Sequence, residues 1–177
     1  MTGVPKMHKA KARRELRYTV IVCSTSRYQS LQRGESVEDG SGDLIVDMLR
    51  DAGQVVLGKE IIPDDKALIA KHLKSAIAGD SDAVIISGGT GITPTDVTVE
   101  AIKPLLEKEL PGFGELLRRL SFEEIGPSVI LTRALAGVVK GKVVFCIPGS
   151  PNAAEIALEK IIIDEAPHVV EHASGHG

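Results

Sequence analysis

Hydrophobic positions recur along the chain with two alternating periods. Residues 18–23 (YTVIVC) and 83–87 (AVIIS) are short, β-branched apolar runs of strand length, the pattern of buried strands, and 54–62 reads as a further strand. Between them the spacing turns helical. Leu44, Ile45, Met48 and Leu49 define one helix, with Gly53 placed to end it. Asp64 is expected to cap a second helix, whose inner face is Ile69, Leu73, Ala76 and Ile77 and whose stop is Gly79. A third helix is predicted from about Thr93, with Val97, Ala101 and Ile102 inward and Pro104 near its end. Residues 113–120 read as helix, and 136–147 as two strands meeting at Lys140-Gly141. A further helix follows Pro148-Gly149-Ser150-Pro151 to about Lys160, and residues 164–172 read as a short terminal helix. The polar stretch 24–40 has neither period and reads as a long loop.

This βαβ rhythm predicts an α/β protein with a mainly parallel sheet and helices on both faces. With no repeat and no linker, residues 18–172 are expected to form one domain. A basic arm at 1–17 precedes it, and a frayed tail at 173–177 follows. The arm carries Lys6, Lys9, Lys11, Arg13, Arg14 and Arg17 against one acid, Glu15, and is read as solvated.

Aromatic residues make up only 3% of the 177 residues, so the core must be aliphatic, which suits a covered parallel sheet. The net charge of -3 argues against nucleic acid as a partner, because phosphate backbones reward concentrated positive charge. Neither a membrane span nor a secretory signal is visible, and a cytoplasmic protein is expected. Cys23 and Cys146 each lie inside an apolar run and are read as reduced core residues. The five histidines, His8, His72, His168, His172 and His176, show no metal-ligand spacing.

Candidate chemistry gathers at the strand ends, where open parallel sheets bind their ligands. The first strand ends in Ser24-Thr25-Ser26-Arg27, the second in Pro63-Asp64-Asp65, the third in Gly88-Gly89-Thr90-Gly91 and the last in Gly149-Ser150-Pro151. Glycines at a strand-to-helix turn permit close backbone approach to a ligand, and the following N–H groups attract an anion. The loop is not a Walker A sequence, since no Gly-Lys-Ser/Thr ends it. Ser150 and Pro151 suit a helix cap and first helical position, with anion binding as the alternative role. Asp64 and Asp96 are each either helix caps, the latter in a Thr93-Pro94-Thr95-Asp96 capping box, or oxygen ligands for Mg²⁺. Ser24 and Ser150 have no recognisable base partner, and Glu100 reads as an ordinary first-turn acid.

These residues resemble the molybdopterin adenylyltransferase-like family of molybdenum cofactor biosynthesis proteins, which includes MoaB and MogA. The resemblance rests on the run SGGTGITPTDVTVE at 87–100. Glu38-Asp39-Gly40-Ser41-Gly42, Ile62-Pro63-Asp64-Asp65, Pro111-Gly112-Phe113-Gly114-Glu115 and Pro148-Gly149-Ser150-Pro151-Asn152 accompany it in order. It implies a three-layer αβα sandwich of the molybdopterin-binding type, assembled as a homotrimer or homohexamer. It also implies ATP-dependent adenylylation of molybdopterin with release of pyrophosphate. Asp64 and Asp96 would position Mg²⁺ and the triphosphate as catalytic and metal-binding residues. Ser24, Thr25, Ser26, Gly88, Gly89, Thr90, Gly91, Gly149 and Ser150 would bind substrate. An anionic phosphate nucleophile needs no strong general base, which fits a site built on positioning and charge. The alternative expectation is a non-catalytic carrier that passes molybdopterin to a metal-inserting partner protein.

Overall fold

The computed structural model describes residues 15–175. Most of the expected basic arm, with His8, lies outside them, as do His176 and the last residue of the expected tail. Six strands form one sheet in the order β2-β1-β3-β6-β5-β4. They are β1 (Arg17–Cys23), β2 (Val55–Ile62), β3 (Ala83–Ser87), β4 (Lys108–Glu109), β5 (Leu135–Val139) and β6 (Lys142–Ile147). β2, β1, β3 and β6 are parallel. β5 runs antiparallel to β6, and the two-residue β4 antiparallel to β5. The β5–β6 hairpin turns on Lys140 and Gly141, both with positive φ (49° and 73°), the conformation that matches a two-residue turn to strand twist.

The helices are α1 (Thr25–Gln32), α2 (Gly40–Asp51), α3 (Lys66–Ala78), α4 (Thr98–Ile102), α5 (Pro111–Ile125), α6 (Pro151–Ala157) and α7 (Ile163–Ala173). Side-chain alternation along the central strands sends two core clusters to opposite faces of the sheet. Tyr18, Val20, Val22, Ile85, Phe145 and Ile147 pack with Ile45 and Leu49 of α2, Leu117 of α5 and the α6–α7 segment. Ile21, Val84, Ile86, Val144 and both free cysteines pack with Ile69, Leu73 and Ile77 of α3 and Ala101 and Ile102 of α4. Each fully buried aliphatic side chain contributes about 1.5–3 kcal/mol, so both layers are needed to hold the sheet.

Four expectations are corrected. Residues 24–40 are not one long loop, because 25–32 form α1, a helix with no buried residue. Asp64 is not the cap of α3; Asp65 is, its carboxylate accepting from the Leu68 N–H at 2.8 Å. Helix α4 starts at Thr98 rather than Thr93, because Asp96 closes a turn back onto Thr93 instead of capping a helix. The last two helices are not separate, because a π-helical turn, Leu158–Ile162, joins α6 to α7. In addition β1 opens at Arg17, and Leu16 is already fully buried.

Register places the candidate chemistry. Cys23 pairs with Ile62, and Ser87 pairs with both Val22 and Ile147. Four parallel strands therefore end level with one another. The ladder runs one step further through Ser24 N–H to Ile62 C=O (2.9 Å) and Gly88 N–H to Ile147 C=O (3.1 Å).

Candidate active site

Beyond that shared edge lies an open cleft of about 700 Å³. Ser24, Thr25, Ser26, Gly88, Gly89, Thr90, Gly91 and Gly149 line it, together with Asp64 and Asp96. Ser150 is the one expected site residue outside this lining. Its hydroxyl accepts from the Ala153 N–H (3.3 Å) as the cap of α6.

The floor is glycine because the strands converge too closely for anything else. Gly88 has φ +100°, and a Cβ there would lie 2.3 Å from the Cys23 carbonyl oxygen. Gly89 has φ +63°, and its Cβ would meet Thr98 Oγ1 at 2.2 Å and Asp64 Oδ1 at 2.9 Å. The Gly89 carbonyl accepts from the Thr98 N–H at 3.0 Å, which fixes the loop onto the start of α4.

Asp64 is oriented by α1. Its Oδ2 accepts from Thr25 N–H (2.9 Å) and Thr25 Oγ1 (2.8 Å), while its own N–H donates to Thr25 Oγ1 (2.9 Å). The other oxygen faces Gly89 at the cleft floor. Asp96 Oδ2 accepts from Thr93 N–H (2.8 Å) and Thr93 Oγ1 (2.6 Å). The Thr93 hydroxyl is the largest influence holding this carboxyl below the ordinary aspartate range. Burial opposes it, and the backbone of Thr93 and Gly91 and the charge of Arg133 add to it. Asp96 is therefore an anion at neutral pH. Cys23, also in the lining, is the reverse case: burial pushes its thiol up to about 12, so it is no nucleophile.

Two further features were not legible as site chemistry. Arg133, from the segment before β5, donates from Nε to the Thr90 carbonyl (3.0 Å) and from a terminal nitrogen to the Asp96 carbonyl (3.2 Å). It pairs with Glu100 on both carboxylate oxygens. Glu100 is thus no ordinary first-turn acid but the counter-ion of a clasp across the glycine loop. Ile125 and Leu131 form an apolar wall; both are half exposed. Arg27, at the end of the first strand as the sequence has it, is the one cation in the lining among the described residues. Of the two missed features a sequence signal existed only for the wall, since Phe122 and Ile125 are apolar on the outward face of α5.

The donor set suits a magnesium–phosphate group better than a metal held by protein alone. Among the described residues no group of three or more His, Cys, Asp or Glu could hold a metal ion. Two carboxylates facing one cleft supply as many protein ligands as Mg²⁺ usually takes when substrate phosphates complete its shell. No helix among the described residues is long and apolar enough to cross a membrane.

Fold and site together define a class: an α/β protein whose level strand ends and glycine floor form an open cleft lined by two carboxylates. The chain belongs to the family described as "Probable molybdopterin binding domain", which matches residues 19–168. A "Probable molybdopterin adenylyltransferase" of Methanocaldococcus jannaschii is 42% identical over 167 residues, covering 94% of this chain and 98% of the relative. The "Molybdopterin adenylyltransferase" of Pyrococcus furiosus is 44% identical over 170 residues, covering 94% and 96%. A crystal structure of "Molybdenum cofactor biosynthesis protein B" superimposes with a TM-score of 0.82 at 39% identity, covering 92% of this chain and 98% of that one. The family and the three-layer fold expected from the sequence are thereby borne out.

Proposed function

We propose that this chain is a molybdopterin adenylyltransferase. The terminal phosphate of molybdopterin attacks the α-phosphorus of ATP; a P–O bond to the pterin phosphate forms as the α–β P–O bond breaks, and pyrophosphate leaves. The observation that carries the reading is the placement of Asp64 and Asp96 on one cleft, over a backbone floor open enough for phosphate. The names of the relatives support the same reaction.

In this reading Asp64 and Asp96 would hold Mg²⁺ together with the triphosphate, and the ion would supply charge neutralisation for the pyrophosphate leaving group. Thr25 fixes the Asp64 carboxylate, and Thr93 keeps Asp96 ionised. The glycine floor and the residues Ser24, Thr25, Ser26 and Thr90 bind the phosphates, and the Ile125–Leu131 wall accepts the pterin ring. Gly149 narrows the far side of the floor against Gly88; Ser150 acts there only through its cap. The active species is a homotrimer or homohexamer, to be read by light scattering. Its product passes to a metal-inserting partner in the cytoplasm.

The test is pyrophosphate release by the purified protein with molybdopterin, ATP and Mg²⁺, each omitted in turn. Release should require all three. Asp64→Asn and Asp96→Asn should each lower turnover by on the order of 100-fold, the scale of losing one charge-stabilising group, with the melting transition retained. Asp65→Ala is the control: it removes the α3 cap at about 1 kcal/mol and should keep turnover. Pterin binding without pyrophosphate release would replace the enzyme with the carrier, and full activity in both asparagine variants would remove the metal role.

A further inference from the structure

Among the described residues the cleft contains two carboxylates, Asp64 and Asp96, and its lining has one cation, Arg27. Any polyanion entering here meets repulsion that Arg27, alone among the described lining side chains, is placed to offset. Arg27 sits in the first turn of α1, two residues after Thr25. A cation is disfavoured at that end of a helix by the backbone dipole, so its position calls for a nearby negative charge.

Part of that charge is Asp39, whose side chain is only 2% exposed. Its Oδ1 accepts from the Gly42 N–H at 3.1 Å, capping α2, and lies 3.5 Å from an Arg27 terminal nitrogen. Asp39 cannot drift. A Cβ on Gly42 would lie 2.1 Å from Asp39 Oδ2, so the carboxylate is packed directly against that backbone. Lys59 Nζ holds the same oxygen at 3.0 Å and also binds Asp43. Burial pulls the Lys59 pKa down, but the bonds to Asp43 and Asp39 outweigh it and the net shift is upward, so Lys59 stays charged.

The consequence is a division of labour. Lys59, in hydrogen-bond range, is the standing counter-ion of the buried carboxylate. The Arg27 contact at 3.5 Å is an ion pair without a hydrogen bond. It orients one edge of the guanidinium and leaves the rest of the fork without a hydrogen bond among the described residues. Because Lys59 remains, that edge can turn to a ligand without stranding a buried charge. A half-exposed guanidinium fork matches a phosphate bidentately.

We propose that Arg27 binds a phosphate of the polyanionic substrate in this cleft, with Asp39 as its positioning residue and Lys59 as the counter-ion that keeps Asp39 satisfied. The ligand class rests on the adenylyl-transfer reading; the geometry does not. The experiment therefore uses binding rather than turnover: calorimetric titration of the full chain with inorganic pyrophosphate and Mg²⁺, at low and high salt. Arg27→Ala should weaken pyrophosphate by about tenfold or more, the scale of one charged hydrogen bond, and should flatten the salt dependence. Arg27→Lys should fall between the two, keeping the charge and losing the fork. Asp39→Asn should weaken binding less. Its effect should vanish in the Arg27→Ala background, a non-additivity that mere structural support would not produce. Should Asp39→Asn fail to fold, the Arg27 variants decide alone. Wild-type affinity in Arg27→Ala, or no pyrophosphate binding by the wild type, overturns the inference. Failure of the adenylyl-transfer reading shows separately, as absent pyrophosphate release by a wild type that binds pyrophosphate in an Arg27-dependent way.

Discussion

Gly88 is where sheet and site make the same demand, and Gly88→Ala should be among the costliest single-methyl additions available to this chain. Two penalties act together. At φ +100° an L-residue is strained by about 1–2 kcal/mol or more. The added Cβ would also lie 2.3 Å from the Cys23 carbonyl oxygen. That oxygen belongs to the end of β1, which is paired to β2 and β3, so the obstacle is backbone and not a flexible side chain. Overpacking of this kind costs about 1–3 kcal/mol. The expected loss is about 2–5 kcal/mol, a large share of the roughly 5–15 kcal/mol that holds a typical domain. Gly53→Ala isolates the first penalty: its φ is +74°, yet nothing lies within 4 Å of the added carbon. Urea unfolding of both variants at one protein concentration gives the comparison, with the slope expected to stay constant. In thermal melts Gly88→Ala should fall by roughly 4–20 °C for a chain of this size. Equal midpoints for the two variants would refute the argument, because backbone strain alone would then explain both glycines.

Arg133→Ala removes both bonds to the Thr90 and Asp96 carbonyls and leaves Glu100 without its partner. Amide exchange should accelerate across residues 90–97, and stability should drop by about 1–3 kcal/mol; unchanged exchange would show that the loop does not need the clasp. The Asp96 carboxyl, depressed chiefly by the Thr93 hydroxyl, contributes stability that is complete above the ordinary aspartate value. That contribution is lost only as pH falls through the lower folded value. Carboxyl-carbon NMR should therefore find Asp96 ionised throughout pH 5–7 and titrating lower than a free aspartate, with Thr93→Val moving it upward. Titration at or above the ordinary value would contradict the Thr93 contacts.

The legible parts of this fold are those whose signal is local. The β1, β3 and β6 runs announce strands because their residues are buried on both faces, and Gly53 announces a helix end because few other residues accept its backbone angle. Helix α1 is the opposite case. TSRYQSLQ buries nothing, so no periodicity marks it. Its start is secured by the Ser24 cap and by Thr25 tied to Asp64, 39 positions away. Asp64 is the expected cap, but one residue of helix register gives that role to Asp65. That register releases Asp64 from α3 and turns it toward the glycine floor.

Thr93 to Asp96 shows why a local motif can be right in chemistry and wrong in structure. The carboxylate does bond back to the N–H and hydroxyl three residues earlier, as it would in a reversed cap, but the helix begins only at Thr98. Arg133 explains the delay. Its guanidinium holds the Asp96 carbonyl, which keeps that group pointing toward the clasp instead of into a helical turn. Glu100, the partner that neutralises the guanidinium, sits at the middle of the short helix α4, 33 positions before Arg133. The same pattern recurs on the other side of the cleft, where Asp39 and Lys59 come from separate elements to orient Arg27. In both places an arginine beside the cleft is steadied by an acid distant in sequence. Strand-end motifs identify the groups that face a ligand, whereas the ion pairs that aim them exist only once the sheet has brought its edges level.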